Sequence, residues 1–223
     1  MRELGLRIVG GTLPPGCSLP NEDELSAELG VSRTVVREAV KALLAKGLVE
    51  VRPRTGTRVR PRRSWHLLDP DVIAWQFESI EGTTQDLREL REIRATIEPS
   101  AARLAAVRRT DDELAAIDAH CRRMEAALAE PLALEAAEAD FHTAVVDAAH
   151  NALLSHMNAV IRVALDATGA TSDPGPVAMT LRRAVADAIR RGDPAESERA
   201  MRTLLESWWE HMSHNGLATR RSA

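Results

Sequence analysis

The sequence of 223 residues has few cysteines and no long apolar run. Its two cysteines, Cys17 and Cys121, lie far apart without a CxxC spacing, which argues against a disulfide scaffold or a zinc ribbon. No run of about 18 apolar residues is present to span a membrane. The first residues, MRELGLRIVGG, also lack the apolar stretch and small-residue cleavage site of a signal peptide. We therefore expect a protein of the reducing cytoplasm without a membrane partner.

Motifs that carry catalysis are missing as well. The sequence contains no Gly-rich phosphate loop and no recognisable Ser-His-Asp or Cys-His arrangement, and a single pair, Glu138 and His142, is weak support for hydrolysis. Aromatic residues make up only 3% of the chain and do not alternate with basic ones, as they would on an RNA-binding surface. The expectation is a protein that is neither an enzyme nor an RNA-binding module.

Charge is divided unevenly along the chain. Residues 1–63 hold 12 Lys and Arg against 7 Asp and Glu, a formal charge of +5, whereas the remainder holds 17 against 26, a formal charge of −9. Each phosphate neutralised by a basic side chain releases counterions and strengthens binding to nucleic acid. A basic head on an acidic body therefore predicts that only the first part of the chain contacts phosphate.

The basic head has the pattern of a winged helix-turn-helix. A short helical piece and the Gly- and Pro-rich segment GTLPPGCSLP precede a helix that Asn21 can cap and Gly30 ends. Ser32 can cap a second helix, RTVVREAVKALLAK, whose apolar residues from Val35 to Leu44 recur at helical spacing. The alternating segment LVEVRPRTGTRVR then predicts a β-hairpin. The order helix, tight turn, capped helix and basic hairpin predicts a domain that reads DNA in the major groove.

The candidate DNA contacts follow from this order. Arg33 and Arg37 share one helix face, and an arginine can bond guanine bidentately or fork onto a phosphate. The bland alternative is a solvated basic face on a small helical domain. The predicted contacts are Ser32, Arg33, Thr34 and Arg37 on the second helix and Arg52, Arg54, Thr55 and Gly56 on the hairpin.

Beyond the hairpin the chain is predicted to be helical. Residues 63–80 form a linker with a short amphipathic segment that is expected to dock on both domains, and residues 81–223 form a bundle of six or seven helices. Breaks are predicted at Pro99, at Pro131, in TGATSDPGP and at Gly192 to Pro194. The predicted fold class is mainly α, with a winged helix-turn-helix over residues 1–62 and an all-helical bundle after the linker.

The run LPPGCSLPNEDELSAELGVSRTVVREAVKALLAKGLVEVRPRTGTRV resembles the DNA-binding domain of the GntR family of bacterial regulators. The resemblance implies a homodimer on a short palindrome, with Arg33, Thr34 and Arg37 at bases or phosphates and the hairpin tip at the minor groove. Family members commonly carry Arg where Asp23 stands. One usual DNA contact is therefore expected to be absent.

The acidic body resembles the FadR-like subgroup of that family, which carries an FCD domain, through LRELREIRATIEPSAARLAA, EAAEADFHTAVVDAAHNALL and LRRAVADAIRRGDPAESERAMRTLL. The linker segment WHLLDPDVIAW looks like members that respond to sugar acids such as galactonate. Most of the subgroup bind a divalent metal through an Asp and a His one helical turn apart and two later His. The aligned positions here hold Glu138, His142, Arg182 and Leu204, so at most two ligands remain and we expect no tightly held metal.

The same positions predict an effector site. Arg94 and Arg182 would hold a carboxylate while Glu138 and His142 bond hydroxyl groups. For Arg94 an equally good alternative is a buried pair with Glu98, four residues later. A metal site of different geometry could instead include Asp140, His150, His156, His211 or His214, although each is more often a surface or hydrogen-bonded residue.

Taken as a whole, the sequence predicts a repressor that releases its operator DNA when a small carboxylate or sugar acid binds. Two alternatives stay open: a constitutive dimeric DNA-binding protein without an effector, and a metal-dependent regulator of the FCD type. The tryptophans are expected to pack in the core or at a dimer interface.

Overall fold

The computed structural model describes residues 1–52, 56–79, 84–168 and 175–211. The chain forms two compact units, of which the first is Met1–Asp86 and the second begins at Leu87. Across the described ranges, no helix is both long and apolar enough to cross a membrane.

The described residues of the first unit form four helices and a two-stranded antiparallel sheet. The helices are α1 (Arg2–Val9), α2 (Glu22–Leu29), α3 (Arg33–Ala45) and α4 (Pro70–Glu78), with a single 3₁₀ turn at Arg62–Ser64. The strands are β1 (Val49–Arg52) and β2 (Gly56–Val59), paired from Val49 opposite Val59 to Arg52 opposite Gly56. These elements confirm the predicted winged helix-turn-helix fold.

The ends of α2 and α3 follow the signals in the sequence. The Asn21 side chain accepts hydrogen bonds from the backbone N–H groups of Asp23 and Glu24, and the Glu24 side chain accepts one from the N–H of Asn21, which completes a capping box. Gly30 ends α2 with a φ of 65°, a left-handed conformation that glycine adopts without strain. This turn fixes the direction in which α3 leaves.

The core of the first unit includes residues from the segment predicted as a linker. Trp65, Val72 and Trp75 are buried with Leu4 and Ile8 of α1, and α1 packs against α4. A glycine is needed at residue 5, because a Cβ there would overlap the indole ring of Trp75. The 63–80 segment thus contributes apolar area to the first unit.

Six helices of the described residues follow. They are α5 (Thr84–Arg108), α6 (Asp111–Ala126), α7 (Pro131–Asp147), α8 (Ala152–Thr168), α9 (Pro176–Arg191) and α10 (Pro194–His211). Helices α6, α7, α9 and α10 surround the main core of the second unit, in which Phe141, Met124 and Met201 are fully buried. This arrangement confirms the predicted all-helical body.

The break predicted at Pro99 was wrong, because α5 continues through this residue. A proline inside a helix removes one backbone hydrogen bond and crowds the carbonyl four residues earlier. Pro99 is nevertheless buried, and Ala101, Ala102 and Ala105 beyond it are completely buried. Packing of this continuous helix face outweighs the local cost of the proline.

Candidate DNA interface and buried polar cluster

Helix α3 carries the predicted recognition residues on its first two turns. The Ser32 hydroxyl caps the helix by accepting a hydrogen bond from the N–H of Val35 at 3.4 Å, and Arg33, Thr34 and Arg37 are exposed. The opposite side of the helix buries Val36 and other apolar residues in the core. The predicted contacts on α3 therefore share an accessible surface at the helix N-terminus.

One residue of α3 departs from the predicted pattern. The helical spacing of the apolar residues predicts that Val35 packs in the core, but its side chain is 51% exposed beside Thr34. It lies one position before the buried Val36, so the helical rotation of about 100° per residue turns it out of the core. An apolar side chain at this point can contact a thymine methyl group.

The two arginines of α3 are paired with acidic residues at the start of α2. Nε of Arg33 lies 2.6 Å from Oδ1 of Asp23. Arg37 donates from Nε and Nη2 to Glu22 at 3.2 and 2.9 Å. The hydrogen bond from Arg37 lowers the pKa of the Glu22 carboxyl. The sequence indicated Asp23 only as a missing DNA contact, and no signal in it predicted the pair with Arg33.

The hairpin is only partly described. Arg52 is exposed and pairs with Glu50 at 2.6 Å. Gly56 has a φ of 77°, and no neighbouring heavy atom lies within 4 Å of the Cβ position, so its backbone faces open space. Arg54 and Thr55 lie outside the described residues. Gly56 thus leaves room for close approach of a groove, as its predicted role requires.

A buried polar cluster in the second unit joins the predicted effector residues. Arg94 donates from Nε to Oε1 of Glu98 at 2.6 Å, within α5. Nδ1 of His142, on α7, lies 2.6 Å from Oε2 of the same carboxylate. Arg182, on α9, lies with Nη2 2.9 Å from Oε1 of Glu138, which in turn is 3.9 Å from Nε2 of His142. The four predicted residues therefore meet in one cluster, with Glu98 as a fifth member.

Burial makes the charges of this cluster strongly interdependent. All five side chains belong to buried residues, and Arg182 is only 1% exposed. Burial by itself would raise the pKa of Glu98, but the charges of Arg94 and His142 outweigh it and lower that pKa to about 2. Both carboxylates of the cluster are therefore ionised at neutral pH, since the pKa of Glu138 is likewise lowered against burial by His142 and Arg182.

His142 responds in the opposite sense. Its burial would lower the pKa of the imidazole, yet the nearby carboxylates of Glu98 and Glu138 raise it. The imidazole thus favours its protonated form more than an exposed histidine does. With His142 protonated, three positive groups stand against two carboxylates. In that protonated form the cluster has a surplus of positive charge, which suits an anion.

Two features of the cluster bear on the sequence predictions. Arg94 forms the pair with Glu98 that was the alternative to an effector role. The indole ring of Trp208, on α10, also lies 4.6 Å from the guanidinium carbon of Arg94, close enough for a cation–π contact. The i, i+4 spacing reveals the first contact in the sequence, but nothing in the sequence indicates the second.

The metal site implied for this subgroup does not fit the residues present. The Glu138 carboxylate is engaged by Arg182, and Nε2 of His142 lies 3.5 Å from Nη2 of Arg94. A divalent cation would meet two guanidinium charges, and the position aligned with the last ligand is the buried, donor-free Leu204. Among the described residues no group of three His, Cys, Asp or Glu side chains is placed to hold a metal ion.

The residues of the alternative metal geometry have other partners. Asp140 pairs with Arg162 at 2.8 Å, and Nε2 of His150 lies 2.9 Å from Glu113. Nδ1 of His156 bonds to a backbone carbonyl of its own helix at 2.9 Å. The remaining two, His211 and His214, lie in the last turn of α10 and outside the described residues, respectively.

Comparison with known proteins assigns both parts of the chain. Residues 1–59 match the gntR family of bacterial regulatory proteins, and residues 89–207 match the FCD domain. The galactonate operon transcriptional repressor of Escherichia coli (strain K12) is 34% identical over 209 residues, which cover 92% of this chain and 91% of that protein. A probable D-xylose utilization operon transcriptional repressor of Paenarthrobacter nicotinovorans is 33% identical over 216 residues, covering 94% and 85%.

A solved structure gives the same assignment. Streptococcus agalactiae GntR has a TM-score of 0.55 against this chain and 26% sequence identity, and the match covers 100% of both chains. The matched families and relatives are transcription regulators and not enzymes, in agreement with the expectation from the missing catalytic motifs.

Proposed function

The chain belongs to the gntR family of bacterial regulatory proteins and carries an FCD domain, and we propose that it is a repressor released from its operator by a sugar acid or another small carboxylate. The proposal that an acidic effector binds rests on the buried cluster, which contains two guanidinium groups and a histidine. The name of the galactonate operon repressor supports the choice of ligand class.

DNA binding is assigned to the first unit. The exposed surface of Ser32, Arg33, Thr34 and Arg37 would enter the major groove, and α2 would cross the backbone. The hairpin residues Arg52, Arg54, Thr55 and Gly56 would follow the adjacent minor groove. Direct readout would come from the arginine forks, which match the O6 and N7 acceptors of guanine.

Effector binding is assigned to the buried cluster. A ligand carboxylate that enters the cluster would replace Glu98 or Glu138 as the partner of the Arg94 or Arg182 guanidinium. The released protein carboxylates, together with His142, would accept or donate hydrogen bonds to hydroxyl groups of the ligand. The cluster joins three helices, α5, α7 and α9, so this exchange would shift their packing. Such coupling requires the ligand to bind two arrangements of the bundle with different affinity.

We assign these functions to the domains predicted from the sequence. Residues 1–62 would bind DNA, residues 63–80 would connect, and residues 81–223 would bind the effector and form a homodimer. A twofold dimer would place two recognition helices in half-sites about one DNA turn apart, roughly 34 Å. Since the target is chromosomal DNA, the site of action would be the cytoplasm.

The DNA assignment is tested with a duplex selected by the full chain from a randomised library. Arg33→Ala and Arg37→Ala should each weaken binding by about tenfold or more, because a bidentate arginine contact is lost. Arg2→Ala on α1 is the matched control, since it removes an equally exposed arginine of the same unit. Equal affinities for all four proteins would refute the assignment.

The effector assignment is tested by thermal shift with D-galactonate, other sugar acids and hydroxy acids. A ligand should raise the Tm of the wild-type chain and lower its operator affinity, and Arg182→Ala should abolish both effects. No response to any acid would favour the constitutive dimer. Loss of a response after EDTA treatment, restored by Zn²⁺ or Mn²⁺, would favour the metal-dependent alternative.

A further inference from the structure

We propose that Asp23 is a positioning residue for operator readout: its carboxylate holds the Arg33 guanidinium so that the two terminal nitrogens face a guanine edge. The proposal rests on the proposed DNA-binding role of α3. It gives a function to an acidic residue that the sequence indicated only as a missing DNA contact.

The geometry of the pair leaves the arginine fork available. Asp23 contacts Arg33 through Nε at 2.6 Å. A guanidinium has five N–H donors, of which Nε carries one and the two terminal nitrogens carry four. Bidentate recognition of guanine O6 and N7 uses the terminal nitrogens. The Arg33 side chain is 69% exposed, so this end of the group is accessible while its Nε side is held.

A neighbouring ion pair also joins a carboxylate of α2 to an arginine of α3. Glu22 precedes Asp23 on α2 and accepts from Nε and Nη2 of Arg37, one turn after Arg33 on α3. Nη1 of Arg37 is not used in that pair. Two successive carboxylates of α2 thus hold two successive arginines of α3 by their Nε sides. A flexible arginine loses rotamer freedom when it binds, and prior fixation reduces this cost.

The negative charge of Asp23 also opposes nonspecific binding to DNA. Its side chain is 61% exposed on the surface that would face DNA, where a carboxylate repels phosphate. An arginine that forks onto phosphate gains affinity for any sequence, whereas one held toward a base edge gains it for guanine. Asp23 should therefore lower affinity for random DNA and raise discrimination at one base pair.

The experiment measures both quantities for the full chain. Fluorescence anisotropy with the selected duplex, with its single base-pair variants and with a random duplex gives a discrimination ratio at every position. The position where Arg33→Ala flattens the ratio identifies the base pair that Arg33 reads. At that position Asp23→Ala should lower the ratio by about three- to tenfold, and it should raise affinity for the random duplex by about twofold or more.

Two further variants separate positioning from charge. Asp23→Asn keeps an oxygen acceptor for Nε without the charge, and it should retain at least half of the wild-type discrimination. Glu28→Ala is the matched control, because it removes a carboxylate of the same helix that pairs at 2.5 Å with Arg7, a residue of α1. It should leave discrimination unchanged. The side chain of Asp23 makes no hydrogen bond of the α2 cap, so the Asn21 cap remains in these variants.

The outcomes are distinct. If Arg33→Ala flattens one position and Asp23→Ala does not, the positioning role is refuted while the DNA-binding role stands. If Asp23→Asn loses as much discrimination as Asp23→Ala, or if Glu28→Ala has the same effect, the contact at Nε does not position the arginine. If Arg33→Ala alters the discrimination ratio at no position, Arg33 does not read a base pair, and the proposed DNA contact is refuted before the role of Asp23 is tested.

Discussion

Replacing Arg182 with methionine (Arg182→Met) tests whether the buried cluster holds the helical bundle together. The change removes the guanidinium that lies 2.9 Å from the Glu138 carboxylate, and it keeps a long apolar stem in a position that is 1% exposed. Glu138 is then buried with one positive partner fewer. Removing one member of a buried ion pair costs about 3–5 kcal/mol of unfolding free energy.

Protonation of Glu138 limits one part of this loss, the cost of burying a carboxylate without its arginine in the variant. Protonating a carboxyl of ordinary pKa, about 4.3, at pH 7 costs about 4 kcal/mol, because each pKa unit corresponds to about 1.36 kcal/mol. The carboxyl would take up a proton before the cost exceeded this value. We therefore expect Arg182→Met to destabilise the chain by about 3 kcal/mol and to lower its Tm by about 6–12 °C.

The pH dependence of this difference has a defined sign. In the wild type the pKa of Glu138 is lowered, so the stability it contributes is present above its unfolded pKa and is lost as the pH falls through the folded value. In Arg182→Met the lowering by Arg182 is lost, so the folded pKa of Glu138 should rise, and a falling pH should cost the variant less stability than it costs the wild type. The gap between the two proteins should shrink between pH 7 and pH 5 by up to about 1.4 kcal/mol per pH unit.

Urea unfolding followed by circular dichroism measures these values for the wild type, both single variants and the double variant Arg182→Met with Glu138→Gln. The double variant should be more stable than the sum of the single changes predicts, by about 2 kcal/mol, because neither charge is then left without the other. If Arg182→Met lowers the unfolding free energy by less than about 1 kcal/mol, with no pH dependence, the Arg182–Glu138 pair does not stabilise the helical bundle.

Three further predictions concern both units. The pKa of His142 is raised, so the stability that its protonated form contributes is complete below the unfolded pKa of about 6.5 and is lost as the pH rises through the folded pKa. The unfolding free energy of the wild type, measured with urea, should therefore fall across that pH window. An equal fall in His142→Gln would contradict this. Gly5→Ala places a Cβ against Trp75 and should cost about 1–3 kcal/mol by urea unfolding, whereas an unchanged midpoint would show that α1 and α4 can separate freely. Asn21→Ala removes the α2 cap and should cost about 1 kcal/mol, Asn21→Asp should restore it, and equal stability of the two variants would argue against the cap.

Local signals made much of the first unit predictable. The Asn21 and Ser32 caps, the left-handed Gly30 and the alternating hairpin each depend on a few neighbouring residues, and the structure has them where the sequence indicated. The error at Pro99 has the opposite origin. Proline is a strong local signal, but burial of the α5 face in the core overrides it.

The candidate sites divide in the same way. The sequence by itself determined that α3 presents Arg33 and Arg37 on one face and that Arg94 can pair with Glu98, because these spacings lie within one helix. Only the tertiary structure decided that Asp23 faces Arg33, that Arg182 meets Glu138 from another helix, and that Trp208 covers Arg94. Helical periodicity fixes which residues share a face, but packing between distant helices fixes which faces meet.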